Sequence, residues 1–251
     1  MEPENDQRAL WNARAATFPR FEEGEDNYEA GMLRQVKELG VDFHGKSVLD
    51  VGCGSGMYTI RLARQARAVT ALDLSEEMLR ILRRDAEALG LANIEYLRSS
   101  WMEYEDPRCY EIVFCSMNPA IQDDQSREKL LRHASDRVVF IAFSRRPPSN
   151  VMRGLYDHYQ ITPRRFESAP QMREWLDRRG MGYDFRSVEG KWDVPWQRDD
   201  FMRICTLALE RYGVPPDQDF LARHVEQFRD EQGRYREKTE FTAEVVSWGV
   251  P

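Results

Sequence analysis

The 251-residue chain is poor in cysteine and histidine, with four of each. Cys53, Cys109, Cys115 and Cys205 contain no C-x-x-C pair. His44, His133, His158 and His224 have no metal-ligand spacing. No metal site or disulfide framework is therefore expected, and the thiols read as reduced ones in a cytoplasmic protein. No apolar run reaches the roughly 18–20 residues that cross a bilayer. The opening MEPENDQRAL is polar and acidic, unlike a signal or transit peptide, so no membrane partner is expected. Basic residues are the minority, 36 Lys and Arg against 43 Asp and Glu, a net charge of −7. That argues against nucleic acid as a partner, which usually needs a basic face. Low-complexity tracts and internal repeats are missing.

What is present is a chain 41% hydrophobic, long enough for one domain with a large core and an insertion. Its most informative stretch is Val48-Leu49-Asp50-Val51-Gly52-Cys53-Gly54-Ser55-Gly56. A short apolar run reads as a buried strand. It ends in an acid and breaks into three glycines at alternate positions, which let the chain turn and a ligand approach the backbone. Residues 57–66 have helical spacing, so free N–H groups point back at the loop. A strand, a glycine turn and a helix start form a nucleotide-type pocket. Asp73 closes a second apolar run, 69–72, and an acid at that point accepts hydrogen bonds from ribose hydroxyls. The spacing G-x-G-x-G, with Met57 just past it, departs from the dinucleotide pattern G-x-G-x-x-G.

The stretches VLDVGCGSGMYTIRLAR and VTALDLSEEMLRILRRDAEALG resemble the class I S-adenosylmethionine (SAM)-dependent methyltransferases, namely their glycine motif, acidic loop and following helix. The resemblance runs over about residues 45–145, through Ile94-Glu95-Tyr96, Ser100-Trp101 and Glu111 to Ser116. It implies a Rossmann-like, seven-stranded, mostly parallel sheet with an antiparallel last strand and helices on both faces. The cofactor it implies is SAM, with S-adenosylhomocysteine (SAH) as product.

The pattern along the chain agrees. Strands are expected at 48–51, 69–72, 94–97, 111–115, 137–143, 183–188 and 241–248. Helices are expected at about 57–66, 75–89, 125–134, 150–159, 171–180, 199–212 and 217–232. Residues 1–44 read as an N-terminal helical cap with apolar residues at 3–4 spacing. Residues 45–251 read as the SAM-binding domain, interrupted at 189–236 by a helical insertion or lid.

By resemblance, Asp50 holds the SAM ammonium. Gly52, Cys53, Gly54, Ser55 and Gly56 let the methionine moiety lie on the backbone. Tyr58 and Thr59 cap the helix or touch the carboxylate, and Asp73 binds the ribose diol. Leu74 and Met78 wall the adenine, Ser100 and Trp101 form the adenine loop, and Ser116 stands at the tip of the fourth strand. Where the family often has Asp, Ser100 is a weaker acceptor. Ser116-Met117-Asn118-Pro119-Ala120 is reminiscent of the N-P-P-Y tip of amino-group methyltransferases without matching it. Asn118, Tyr28 and His158 are the candidates for contact with the reacting group. Arg145-Arg146 and Arg164-Arg165 would suit an anionic group on a small-molecule methyl acceptor. A nitrogen or oxygen nucleophile is favoured over carbon. Two other readings stay open: a nicotinamide-dependent oxidoreductase, and a non-catalytic protein of the same fold serving as a partner.

Overall fold

The structure, a computed structural model, describes residues 4–163 and 167–250. Arg164 and Arg165 lie outside the described residues. The chain divides into two compact units. The first takes the described residues of Met1–Ala142, Ser168–Val188 and Glu244–Pro251; the second takes those of Phe143–Glu167 and Glu189–Ala243.

In the first unit, α1 (Glu4–Ala15) and α2 (Tyr28–Glu38) precede an alternation of strands and helices. These are β1 (Ser47–Val51), α3 (Thr59–Ala63), β2 (Ala68–Asp73), α4 (Glu76–Ala88), β3 (Ile94–Arg98), β4 (Tyr110–Ser116), α5 (Asp124–His133) and β5 (Ala134–Arg145). α7 (Ala169–Arg178) follows later in the same unit. With β6 (Asp184–Trp196) and β7 (Tyr235–Gly249), the strands form one seven-stranded mixed sheet of order β3-β2-β1-β4-β5-β7-β6, β7 being antiparallel. β1 to β5 pair in parallel, and a parallel sheet needs apolar cover on both faces. The sequence supplies it. Val48, Leu49, Asp50 and Val51 are all buried in succession. Leu49, Val51, Val113, Phe140, Trp175 and Trp248 form one core cluster, and Ile60, Ala71, Leu79 and Leu82 another.

Local signals set the element ends. Ser75 accepts the N–H of Met78 as the N-cap of α4, and Asp123 and Ser126 form a reciprocal capping box on α5. At the amino end of β4, Glu111 accepts the N–H of Ser47 and pairs with Lys46 and Arg67, which holds its carboxyl down at about 2.

The second unit holds α6 (Asn150–His158), α8 (Arg198–Glu210), α9 (Gln218–Glu226) and the distal parts of β5, β6 and β7. Its core is Val151, Leu155, Phe201, Cys205, Leu209, Leu221, Val225 and Tyr235. His224 is buried there, its Nε2 2.9 Å from the Val151 carbonyl.

α3 and α9 are shorter than expected, and β6 and β7 extend well past their expected bounds. β6 runs on to Trp196 and β7 begins at Tyr235, so both strands reach into the stretch 189–236 expected as a helical insertion, while the helices between them start at Arg198 and Gln218, close to the expected 199 and 217. The reason is tertiary. The Phe241 ring lies where a Cβ on Gly190 would come within 2.3 Å, and it packs on Trp192 and Phe143. The strand passes through Gly190 because the Phe241 ring occupies the space a side chain there would need.

Candidate active site

β1 and β2 run parallel with Val51 opposite Leu72. Asp50 and Asp73 therefore emerge at the same carboxyl end of the sheet, where α/β proteins bind ligands. The glycine loop begins beside them, and the N–H groups of Gly52 and Cys53 both donate to the Leu72 carbonyl, at 2.8 and 3.0 Å.

Asp73 is fixed by the loop it faces. Its Oδ2 accepts the N–H of Gly54 and its Oδ1 that of Ser75, each at 2.8 Å. Burial pushes its carboxyl up, against the pull of those two bonds and one from Leu74. Asp50 is 2% exposed. Its Oδ2 accepts the Thr59 hydroxyl at 2.6 Å, and its Oδ1 makes no hydrogen bond among the described residues. Burial raises the Asp50 carboxyl to about 7; the Thr59 bond pulls it down and the Asp73 charge pushes it up.

This has a consequence for stability. An acid that keeps its proton when folded but loses it when unfolded binds more protons in the native state. Stability therefore falls as pH rises from about 4 to about 7, and is level above that. A displacement of this size costs up to about 4 kcal/mol at pH 8. Asp50→Asn is expected to unfold several degrees higher than the parent at pH 8 and to lose that advantage at pH 4. Thermal melts at the two pH values check it; equal melting temperatures at pH 8 would refute it.

The three glycines do different jobs. Gly52 has φ +74°, and a Cβ there would sit 2.4 Å from Asn118 Nδ2; Gly56 has φ +91°, and a Cβ there would sit 2.1 Å from Leu82 Cδ1. Only Gly54 has ordinary room, its nearest neighbour being the Phe18 ring at 3.6 Å. The expectation that all three open the backbone to a ligand is corrected: Gly52 and Gly56 make room for the protein's own side chains.

The other expected residues divide. The ring of Tyr58 packs on Phe114, its hydroxyl is buried beside Ser116, and Tyr28 lies next to it. Burial pushes both phenols up, so both stay protonated at neutral pH. Cys53 is buried, and its thiol is held well up by burial and the two nearby acids, which suits no nucleophile. Leu74 is half-buried, directly after Asp73. Ser55 does not face the loop's interior; its hydroxyl donates to the Pro19 carbonyl at 2.5 Å. Met78 is not an open wall but packs with Ala15 and Ile81, under α1. Ser100 accepts the N–H of Glu103 and so closes a turn. Trp101 is a core residue. It is 4% exposed, donates to the Ser126 carbonyl at 3.0 Å and stacks on Tyr104, with Lys129 over its face. Asn118 donates to the Val51 carbonyl and accepts the N–H of Ala120, following Met117, which has φ +50°. His158 belongs to the second unit, is exposed, and stacks on Phe220 at 3.6 Å; no role at the glycine loop is assigned to it.

The segment that roofs the loop belongs to the expected N-terminal cap, but sequence periodicity did not expose its individual contacts. Asn12 Oδ1 accepts the Ser75 hydroxyl at 2.7 Å, Phe18 lies on Gly54, and Arg61 donates to the Glu22 carbonyl at 2.7 Å. Arg64 pairs with Glu23. These contacts join residues far apart in sequence, and no local motif announces them.

A cavity of about 610 Å³ opens at the other, amino ends of the strands, beside Ser47, Thr70 and Asn93. The cations that reach it are already paired, Arg67 with Glu111 and Arg108 with Asp106 and Glu95, so Asp50, Asp73 and the glycine loop remain the better site.

The chain is similar to known proteins in sequence and in fold. Residues 48–139 match the family model described as methyltransferase domain. The ubiquinone biosynthesis O-methyltransferase of Klebsiella pneumoniae is 34% identical over 110 residues, 43% of each chain. That of Acinetobacter baylyi is 35% identical over 123 residues, 47% of this chain and 52% of that one. The chain thus spans about half the length of these relatives, or less. Among solved structures, the YcgJ protein of Bacillus subtilis has a TM-score of 0.54 at 16% identity, covering 88% of this chain and 97% of that one. Magnesium protoporphyrin IX methyltransferase of Synechocystis PCC 6803, solved with bound SAH, has a TM-score of 0.52 at 15% identity, covering 96% and 99%. At such identities the likeness concerns the fold. Residues 48–139 are thus similar to the methyltransferase-domain family, and the chain shares its Rossmann-like fold with solved methyltransferase structures.

Proposed function

We propose that the chain is a SAM-dependent methyltransferase acting on a small molecule. The observation that carries this is the pairing of two acids, Asp50 buried and Asp73 half-buried, at neighbouring strand ends, across a loop whose backbone is tied to one of them. The acids fit the cofactor. Asp50 is a buried residue, and its Oδ1 has no hydrogen-bond partner among the described residues, which suits an ammonium group. Asp73 is already oriented by two N–H groups and retains lone pairs for a diol. Leu74 follows it as the apolar neighbour of a base. When bound, SAM supplies a methyl group already activated by its sulfonium, so the chain has to align the acceptor and exclude water.

The residues named above take modest parts. Both ends of the Asn118 amide hold backbone, so its role is to shape the tip after β4. Tyr28 and Tyr58, both protonated, serve as hydrogen-bond donors and not as bases. An oxygen or nitrogen nucleophile remains the favoured target, supported by the O-methyltransferase relatives. The oxidoreductase reading is disfavoured because Gly56 is occupied by Leu82 and no further glycine follows to admit a pyrophosphate.

Calorimetry is expected to show SAM and SAH binding at micromolar concentrations, and NADH is expected not to quench tryptophan fluorescence. No SAH binding at millimolar ligand would refute the proposal. Transfer of labelled methyl from SAM into a pool of small metabolites separates an enzyme from a non-catalytic partner protein; a pool left unlabelled would favour the latter.

A further inference from the structure

Thr59 has no exposed surface and opens α3. It caps nothing: the N-cap is Tyr58, which makes no side-chain capping bond. Its hydroxyl instead reaches back nine residues to Asp50 Oδ2 at 2.6 Å, a short bond of the charge-assisted kind. Several features fix it there. A β-branched side chain is stiff about its first torsion. The next residue, Ile60, is fully buried and donates its N–H to the Gly56 carbonyl at 3.1 Å. The bond therefore joins the two ends of the glycine loop, one on the sheet and one on the helix.

The charges around Asp50 give this bond its importance. Asp73 faces it from β2, Cys115 from β4, Cys53 from the loop and Tyr58 from the start of α3. Each of these is neutral or negative. No cation of the described residues acts on Asp50, and the Thr59 hydroxyl is the one group there that favours the ionised form. An anion oxygen with no hydrogen bond, in a buried setting without a protein cation, is suited to a cation carried by a ligand.

We propose that Thr59 is a positioning residue for cofactor binding: by occupying Asp50 Oδ2 it fixes the carboxylate in one orientation and leaves Oδ1 as the acceptor for the ligand's ammonium. This rests on the methyltransferase reading above and adds to it a residue that does not itself touch the cofactor.

The experiment compares SAH affinity between pH 6 and 8 in the wild type, Thr59→Val and Thr59→Ser, and titrates the Asp50 carboxyl by carbon NMR in the unliganded chains. Binding needs Asp50 ionised, so wild-type affinity weakens as pH falls through about 7. Thr59→Val is expected to bind SAH about tenfold more weakly at pH 7. Its pH midpoint, in both binding and the carboxyl titration, is expected to lie higher than that of the wild type. Thr59→Ser restores both. Thr59→Ala is the second disabling variant should the valine chain not fold. Equal affinity and an unchanged midpoint in the folded variant would overturn the proposal alone. A wild-type chain that binds no SAH would overturn the methyltransferase reading, and the proposal with it.

Discussion

Asp73→Ala is expected to weaken SAH binding by at least about 100-fold. A hydrogen bond to a charged group contributes about 1.5–3 kcal/mol, and two of them to a diol amount to two or more decades in affinity. The loss has a second source. The carboxylate also holds the N–H groups of Gly54 and Ser75, so removing it frees the loop and the cap of α4 together. The cap matters because Ser75 accepts the Met78 N–H and donates to Asn12, which links α4 to α1. Calorimetry with SAH on the folded variant measures the effect. A loss smaller than about tenfold would mean that Asp73 serves the loop and not the ligand.

Gly56→Ala is expected to be the most destabilising single substitution in the glycine loop. The residue has φ +91°, which an L side chain adopts only under strain. A Cβ would fall 2.1 Å from Leu82 Cδ1, 3.0 Å from Cγ and 3.2 Å from Cβ. Leu82 is fully buried against Ile60, Ala71 and Leu79, so its side chain has nowhere to turn without disturbing the packing of α4 on the sheet. Overpacking of about 1–3 kcal/mol adds to a backbone penalty of similar size, together about 3 kcal/mol or more. For a chain of this length that lowers the melting temperature by roughly 6–12 °C. Gly54→Ala, with 3.6 Å to the Phe18 ring, should escape the steric part. Thermal melts of the two variants decide the matter, and a Gly56→Ala chain as stable as the parent would refute the packing role.

The sheet and the two acids were legible in the sequence because both are local signals. Apolar runs such as Val48–Val51 and Val69–Leu72 can be read as strands without knowing their neighbours, and Asp50 and Asp73 stand where those runs stop. The roles of the surrounding residues were not legible, because long-range contacts set them. Nothing near Gly56 in the chain points to Leu82, and nothing near Gly52 points to Asn118. Trp101 suits an adenine pocket by its position after the third strand, but the Ser126 carbonyl and Tyr104 draw it into the core. β6 extends past its expected end because Gly190 and Pro195, residues that strand interiors disfavour, interrupt the alternation of Val188, Trp192, Val194 and Trp196 with Glu189, Lys191 and Asp193. The N-terminal cap was legible as a helical segment but its contacts with the glycine loop were not, because Asn12, Phe18 and Pro19 act on residues 36 to 63 positions away.

The central claim is that Asp50 and Asp73 jointly hold a sulfonium nucleoside. A crystal structure grown with SAH tests it most directly. The account predicts the ligand's ammonium on Asp50 Oδ1 and its ribose hydroxyls on Asp73, with Phe18 displaced from Gly54 or folded over the bound molecule. Density for SAH at any other place, or an undisturbed loop at saturating ligand, would contradict it.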